Sequence, residues 1–522
     1  MEKIIIICCL VLSFIYLLSR LKFELQMMQQ NSYRNSRYIK WYRSDLSNPI
    51  RIAIFILFIL SSVLSGNLYI LILIILFSSW GIFYEAKKKY KKKLVFTRRA
   101  TRLYITSVII SLLTIGIIYF IWKNAEYAVS TVLLLNIFSF TILIISNLLN
   151  SPIEKSINRK YYNEAKQILQ QNKDLIIIGI TGSYGKTSTK HYLYRILSEK
   201  YNVLMTPGSF NTTLGVIRTV REQLKPYHEI FIVEMGAKQS GDIKEICELV
   251  HPSIGIITSV GEQHLESFKT IENVQKTKFE LIDSLPEDGL AVLNYDYPYI
   301  ASRKVENVKN KIYYSFTDNA VDYFIDSIKY SSKGTEFTVH AKNGPAEELS
   351  TKIVGKYNLS NILAGYIVAK YLKIEPMSIK YAVSHIEQVE HRLNIRQTPG
   401  GITIIDDAFN SNPNGAEMAL EVLGGFTTGK RIIITPGFIE LGNRQFDYNY
   451  NLGRQITSNA DYSIIVGSYN RDALTKGLND SDFNKQNLYL ASSFNDAVNH
   501  LKGILSNGDV VLYENDLPDT FK

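Results

Sequence analysis

The stretch of this sequence best equipped for chemistry is "GITGSYGKTSTK", Gly179–Lys190. Gly179, Gly182 and Gly185 let backbone N–H groups come close to phosphate oxygens. A helix opening at Lys186 adds its positive dipole end. Lys186 can reach the outer phosphates of a nucleotide, and the Thr187 hydroxyl can ligate Mg²⁺. Gly182, Ser183, Gly185, Lys186, Thr187 and Ser188 are therefore the nucleotide-binding candidates. A strict Walker loop has glycine where Ile180 stands, so the pattern is the variant T-G-x-x-G-K-T. An apolar run precedes it and a helical pattern follows, which is the context a phosphate cradle needs.

Further candidates stand at the ends of other apolar runs. Glu234 closes "IFIVE". In an open parallel sheet, strand C-termini face the ligand crevice, and a carboxylate there can hold Mg²⁺ directly or through water. A solvated strand end is the ordinary alternative. His264 follows "IITSVGEQ", and Lys278 comes 14 residues later. Mg²⁺ prefers oxygen to imidazole and lysines are usually exposed, so structural readings of both stay open.

The elements that must position these residues come from hydrophobic patterning. "LIIIGI", "IFIVEM", "SIGIITSV" and "LAVLN" are short, continuous and rich in β-branched residues, as buried parallel strands are. They alternate with helical patterns over 175–390, the expected central ATP-binding domain. Residues 311–356 read as a small antiparallel insert. From Arg392 a second alternation begins ("ITIIDD", "RIIITPG", "YSIIVGS", "DVVLYE"), giving a smaller Rossmann-like α/β domain over 391–522. Ser151–Asp174 reads as a polar helical connector.

The first 150 residues are of another kind. Five charge-free apolar runs, Ile4–Ser19, Ile52–Ser65, Leu68–Tyr84, Tyr104–Trp122 and Tyr127–Leu149, predict an α-helical membrane domain of about five spans, or four if the first run is a signal-like segment. A tight turn is expected at Ser65–Asn67. The first 150 residues carry 18 Lys/Arg against 5 Asp/Glu, and the rest of the chain 40 against 43. The basic excess is thus confined to the loops Arg20–Arg43 and Lys87–Arg102, which the positive-inside rule keeps in the cytoplasm. Everything after Leu149 is then cytoplasmic, where ATP is, at a multi-pass cell membrane. A near-neutral soluble half argues against nucleic acid as a partner. Contact with anionic lipid or a lipid-linked substrate is a second use for the basic loops. Cys8, Cys9 and Cys247 have no zinc or disulfide spacing.

Several blocks together resemble the Mur ligase superfamily over most of 175–515. They are the phosphate loop, "TPGSFNTTLGVIRTV", "VEMGAKQSGDI", "ITSVGEQHLESF", "KTKFELI", "GKYNLSNILAGYIVAKYL" and "HRLNIRQTPGGITIIDDAFNSNPNGAEMAL". E-M-G-A, D-D-A-F-N-S-N-P and "ELG" (Glu440–Gly442) point to its MurF-type branch, which joins D-Ala-D-Ala to a UDP-muramoyl-tripeptide. The resemblance implies that ATP phosphorylates the acceptor carboxylate and an amine then attacks the acyl phosphate. It implies two Mg²⁺ ions held by Thr187, Glu234, His264 and a carbamoylated Lys278, with Lys186, Lys278, His264 and Glu234 catalytic. Asn294 falls where the family contacts adenine. Arg392 and Asp407 fall where it contacts ATP phosphate and ribose. Asn211, Thr212, Phe409, Asn410 and Asn412 fall in substrate-binding stretches, although Asn412-Pro413 also suits a plain turn.

Three departures stand against that pattern. The substrate loop reads Asn211-Thr212 in place of Asn-Asn. "YENDLPD" replaces a K-G-S that often follows the last strand. Membrane spans stand where soluble members carry a domain that grips the UDP end of the acceptor. The acceptor is therefore expected to be a UDP-linked or a lipid-linked cell-wall precursor. Other readings are a paralogue adding another amino acid or dipeptide to another envelope polymer, and an ATP-driven transporter or sensor. Charge-free spans and the lack of an ABC-type signature count against the transporter. Folate polyglutamylation fits the E-M-G-A and D-D-A-F-N stretches poorly. A dead scaffold fits poorly with Lys186, Thr187, Glu234, His264 and Lys278 all present.

Overall fold

The computed structural model describes residues 2–44, 49–64, 67–88, 90, 92–263, 265–331, 334–390, 392–408 and 412–516. It divides into two compact units, residues 1–159 and 160–517.

The first unit is helical: α1 (Glu2–Gln30), α2 (Asn35–Ser44), α3 (Pro49–Val63), α4 (Leu68–Lys87), α5 (Arg98–Trp122), α6 (Ala125–Ile137) and the start of α7 (Ser139–Gln171). Among the described residues three helices, α1, α4 and α5, are long and apolar enough to cross a membrane, or four spans if α6 and α7 count as one. The apolar runs predict five spans, or four without the first, and the helix lengths give three or four. α3 has 15 residues, about 22 Å at the helical rise and short of a ~30 Å hydrocarbon core. The run Tyr127–Leu149 is bent by 76° between α6 and α7. No glycine or proline marks the bend, which brings the Ser139 hydroxyl to Glu24 Oε1 at 3.3 Å. The expected turn at Ser65–Asn67 lies mostly outside the described residues, but Asn67 caps α4 by accepting from Tyr69 N.

The expected basic loop Arg20–Arg43 is largely helical, and its charges are not all at the surface. Glu24 is fully buried. Its Oε1 accepts from Arg20 Nη2 and Arg51 Nη2, both at 3.1 Å, and its Oε2 from the Tyr38 hydroxyl at 2.5 Å. Arg20 also reaches Glu85 on α4 at 3.2 Å. Two cations and two anions thus balance inside the helical unit, at the ends of apolar runs that are themselves free of charge. The helices meet through small and polar residues. Ser107 and Ser146 hydroxyls are 2.8 Å apart, and at Gly81 an added Cβ would lie 2.5 Å from the Tyr16 ring.

The second unit is built on two sheets. The larger runs β2-β3-β1-β4-β5-β6-β7-β8-β9. Its strands are β1 (Ile176–Thr181), β2 (Val203–Met205), β3 (Ile230–Glu234), β4 (Ile254–Ile257), β5 (Leu290–Asn294), β6 (Asn310–Ser315), β7 (Tyr323–Ser331), β8 (Gly334–Ala341) and β9 (Glu347–Thr351). Pairing is parallel from β2 through β7, and antiparallel only at β7–β8 and β8–β9. The expected antiparallel insert is therefore an extension of the main sheet, and its first strand, β6, is parallel to β5. Both faces are covered. Ile178, Ile180, Ile254 and Val292 point into one core, and Ile177, Phe231, Ile257 and Leu293 into the other. Such double burial produces the continuous apolar runs read in the sequence. The C-terminal half of α7 is more than a connector, because Ala165 is fully buried in the second of these cores.

The smaller sheet runs β10-β11-β15-β12-β13-β14. Its strands are β10 (Asn394–Gln397), β11 (Thr403–Asp407), β12 (Arg431–Thr435), β13 (Tyr462–Val466), β14 (Leu488–Ala491) and β15 (Val510–Glu514). It is parallel except for the edge strand β10. The short strands β2, β10 and β14 were not legible in the sequence.

Candidate nucleotide and ligation site

In the larger sheet β1 lies between β3 and β4. The chain passes to one side of β1 and then to the other, so the C-terminal end of β1 is a topological switch point where a crevice opens. The loop Gly182–Gly185 leaves β1 there and opens helix α8 (Lys186–Leu197). Gly185 has φ +78, and a Cβ would lie 2.5 Å from Asn361 Oδ1, so backbone and space both require glycine. The loop is stitched to the exit of β4. Ser183 N donates to Ser259 O at 3.0 Å, Ser183 Oγ to Gly261 O at 2.9 Å, and Tyr184 N to Ser259 Oγ at 2.6 Å. Lys186 folds back over the loop and donates to Gly182 O (2.5 Å) and Ser183 O (3.2 Å). Burial pulls its pKa down to about 8, against the opposing pull of the Glu234 carboxylate.

Glu234, at the end of β3, is 1% exposed. Its Oε1 accepts from Thr187 Oγ1 and from Asn211 Nδ2, both at 3.2 Å. Lys190 Nζ lies 3.0 Å from Oε2, at an angle that leaves this oxygen without a hydrogen bond. Burial pushes the carboxyl pKa up, but Lys190 and Lys186 outweigh it, and the net direction is down. A buried carboxylate oxygen with no hydrogen bond, beside a threonine hydroxyl and below a phosphate cradle, fits a Mg²⁺ ligand. Among the described residues no three His, Cys, Asp or Glu side chains cluster as a metal site.

Lys278 sits on the helix Ile271–Asp283 and is 2% exposed. It makes no hydrogen bond or ion pair among the described residues. Burial, with the Lys186 charge adding to it, drives its pKa well below the usual lysine value. His264, Phe409 and Asn410 lie outside the described residues.

A cleft with about 680 Å³ of empty volume joins the two lobes of this unit. Gly185 and Ser188 line it from the phosphate loop, Asn294 from β5, and Arg392, Asp407 and Asn412 from the second lobe. Six residues named from the sequence therefore meet in one cavity. Burial lowers the Arg392 pKa, opposed by Asp407 and Glu234. Its charge is also felt at Lys186, so the second lobe brings a cation toward the phosphate loop. Asp407 is pushed up to about 6 by burial, against Arg392 and a 3.0 Å bond from Leu393 N.

Other named residues are committed to structure. Asn294 Nδ2 donates to Thr258 O and Ser360 Oγ. Asn412 Oδ1 caps its helix by accepting from Gly415 N at 2.9 Å, and Thr212 caps helix α9 (Thr213–Gln223). Sequence reading missed Lys190 as a site residue, and missed Asn358 and Asn361, which line the cleft. The two asparagines were visible in "GKYNLSN", but nothing in their spacing tied them to the loop.

A phosphate cradle at a sheet switch point, closed over by a second α/β lobe, defines a P-loop enzyme that uses a nucleotide. Residues 180–369 match the Mur ligase middle domain, and residues 391–513 match the "Mur ligase, glutamate ligase domain". The UDP-N-acetylmuramoyl-tripeptide–D-alanyl-D-alanine ligase of Bacillus subtilis is 28% identical over 345 residues, 65% of this chain and 72% of that protein. The enzyme of the same name from Buchnera aphidicola subsp. Acyrthosiphon pisum is 31% identical, over 61% of this chain and 70% of its own. The crystal structure of MurF ligase from Thermotoga maritima in complex with ADP superposes with a TM-score of 0.60 at 25% identity, covering 69% of this chain and 80% of that one. The chain belongs to the Mur ligase family and is an ATP-dependent ligase.

Proposed function

We propose that the protein joins D-Ala-D-Ala to the peptide carboxylate of a muramoyl-tripeptide precursor of peptidoglycan, with cleavage of ATP to ADP and phosphate. The observation that carries this reading is the cleft that gathers the phosphate loop, Arg392 and Asp407 beside buried Glu234. An acceptor carboxylate oxygen attacks the γ-phosphorus and ADP leaves. The amine nitrogen then attacks the acyl carbon, phosphate leaves and the amine loses a proton. Lys186 and Arg392 offset the charge of the transferring phosphoryl group. Thr187 and Glu234 are the residues to hold Mg²⁺, which when bound neutralises phosphate charge. Lys278 is the residue proposed for carbamoylation, because its burial favours the uncharged amine, the form that attacks CO₂. His264 belongs to the same proposal as a second metal ligand, and Asn211 with the Phe409–Asn412 stretch to substrate placement.

The helical unit is proposed to lie in the cell membrane with the ligase unit on the cytoplasmic side. Its support is an exterior of large apolar residues such as Phe55, Leu113 and Phe120, each at least half exposed, around helices of spanning length. A lipid-linked acceptor, or another envelope polymer, is the second reading, favoured by the placement of that unit before the ligase domains.

The test is phosphate release by the full chain in detergent with Mg-ATP and D-Ala-D-Ala, with and without UDP-muramoyl-tripeptide. Release only with both substrates, and product of the pentapeptide mass, is expected. An ADP-binding protein that turns over only a lipid-linked acceptor would move the assignment to the second reading.

A further inference from the structure

Lys190 has no part in the chemistry described above, yet it is the most enclosed cation of the site. Its side chain is 0% exposed. It lies one turn after Lys186 on α8, so the two ammonium groups leave the same helix face. Lys186 turns back to the phosphate loop. Lys190 reaches 3.0 Å from Glu234 Oε2 and donates to Gly208 O at 2.6 Å. Gly208 lies in the Thr206–Thr212 loop that the family resemblance assigns to the acceptor.

The same loop grips Glu234 at two further points. Glu234 N donates to Thr206 Oγ1 at 3.1 Å, and Asn211 Nδ2 donates to Glu234 Oε1 at 3.2 Å. The loop is fixed in turn by Gly236 N on Asn211 O at 2.7 Å. At Gly236 a Cβ would lie 2.8 Å from the Asn211 side chain. The loop and the phosphate helix therefore share one carboxylate. Thr187 and Asn211 meet on its Oε1, and Lys190 spans from its Oε2 to the loop backbone.

We propose that Lys190 is a positioning residue that couples nucleotide occupancy to the acceptor loop, by holding Glu234 and the Gly208 carbonyl on one ammonium group. This rests on the ligase reading of the site. A cation that binds at Thr187 and Glu234 must share the carboxylate with Lys190. The change is then felt at Gly208, because a buried ammonium that loses part of one partner leans on the other. A plain structural ion pair would give stability without this coupling.

The test uses the full chain in detergent. In the wild type, hydrogen exchange at residues 206–212 is measured with and without ADP and Mg²⁺. Protection that changes on adding both is expected, and unchanged exchange in a protein shown to bind ADP would overturn the proposal. Lys190→Met is expected to abolish that change and to raise the acceptor KM at least tenfold more than the ATP KM. Lys190→Arg is expected to restore part of both. Equal effects on both KM values, with wild-type exchange behaviour, would reduce Lys190 to a structural role. The exchange experiment needs no acceptor, so a wrong acceptor assignment leaves its outcome readable.

Discussion

Helix α5 and strand β1 are both rich in isoleucine, but they hide opposite parts of themselves. α5 buries Ala100, Leu103, Ser107 and Ser111, while Ile105, Ile109, Leu112 and Leu113 stand exposed. β1 buries Ile177, Ile178 and Ile180 on both faces of a sheet. The ligase unit is ordered by removing apolar surface from water. The helical unit also buries apolar residues such as Leu17, Leu21 and Leu143, but it leaves many large apolar residues exposed, and its contacts include small residues, serine pairs and a buried ionic network. Such contacts suit helices in an apolar medium, which the proposed membrane placement would supply. The two units therefore call for opposite perturbations, and a set of substitutions can break or sharpen the contrast.

The largest effect is expected in the helical unit. Glu24→Ala leaves Arg20 and Arg51 without their shared carboxylate, and breaking a buried pair costs about 3–5 kcal/mol. Thermal unfolding of the full chain in detergent should show a lowered transition for the helical unit, with ADP affinity retained. Loss of ADP binding at low temperature would mean that the two units are not energetically separate. In the ligase unit, Lys186→Met should lower kcat/KM for phosphate release by ~10³-fold while leaving the helical unit's melting unchanged.

Lys278→Met is expected to lower turnover by ~10²-fold or more with ADP affinity nearly unchanged. A ¹³C carbamate signal with labelled CO₂ should appear in the wild type and vanish in this variant. A small residue inside the helical unit gives a smaller effect. Gly81→Ala forces a Cβ against the Tyr16 ring, and overpacking of this kind costs about 1–3 kcal/mol. The same melting experiment reads it, and a neutral result would show that α1 and α4 have slack.

The smallest effect is in pH. Lys186 titrates at about 8, below its ordinary value of 10.5. Below pH 8 it is charged as the phosphates require. Above that, nucleotide binding must take up a proton, so ADP affinity falls by up to about tenfold per pH unit. Calorimetry at alkaline pH in two buffers of different ionisation enthalpy should give different apparent heats. Identical heats would mean that Lys186 stays protonated in the free enzyme.

The phosphate loop was legible because its glycines are dictated locally. Gly185 needs a positive φ, which is a matter of its own backbone. The long strands were legible because burial on both faces leaves an unbroken apolar run. The bend after α6 left no such mark, since neither glycine nor proline causes it and the partner of Ser139 is Glu24, 115 residues away. Lys190 was passed over for the same reason. A lysine on a helix reads as solvated until the fold places Glu234 and Gly208 beside its ammonium group.

By itself the sequence determined the division into an apolar basic N-terminal part and a longer α/β part, the phosphate cradle, and the residue types for ligation. Those depend on composition, periodicity and backbone freedom, which are properties of neighbours along the chain. Only the tertiary structure decided that β6 extends the main sheet, that Arg20 and Glu24 lie inside the helical unit, that Asn294 spends its amide on Thr258 and Ser360, and that Lys190 joins Gly208 to Glu234. Each of these is a contact between distant residues, made because a buried donor or charge must find its partner wherever the fold brings one.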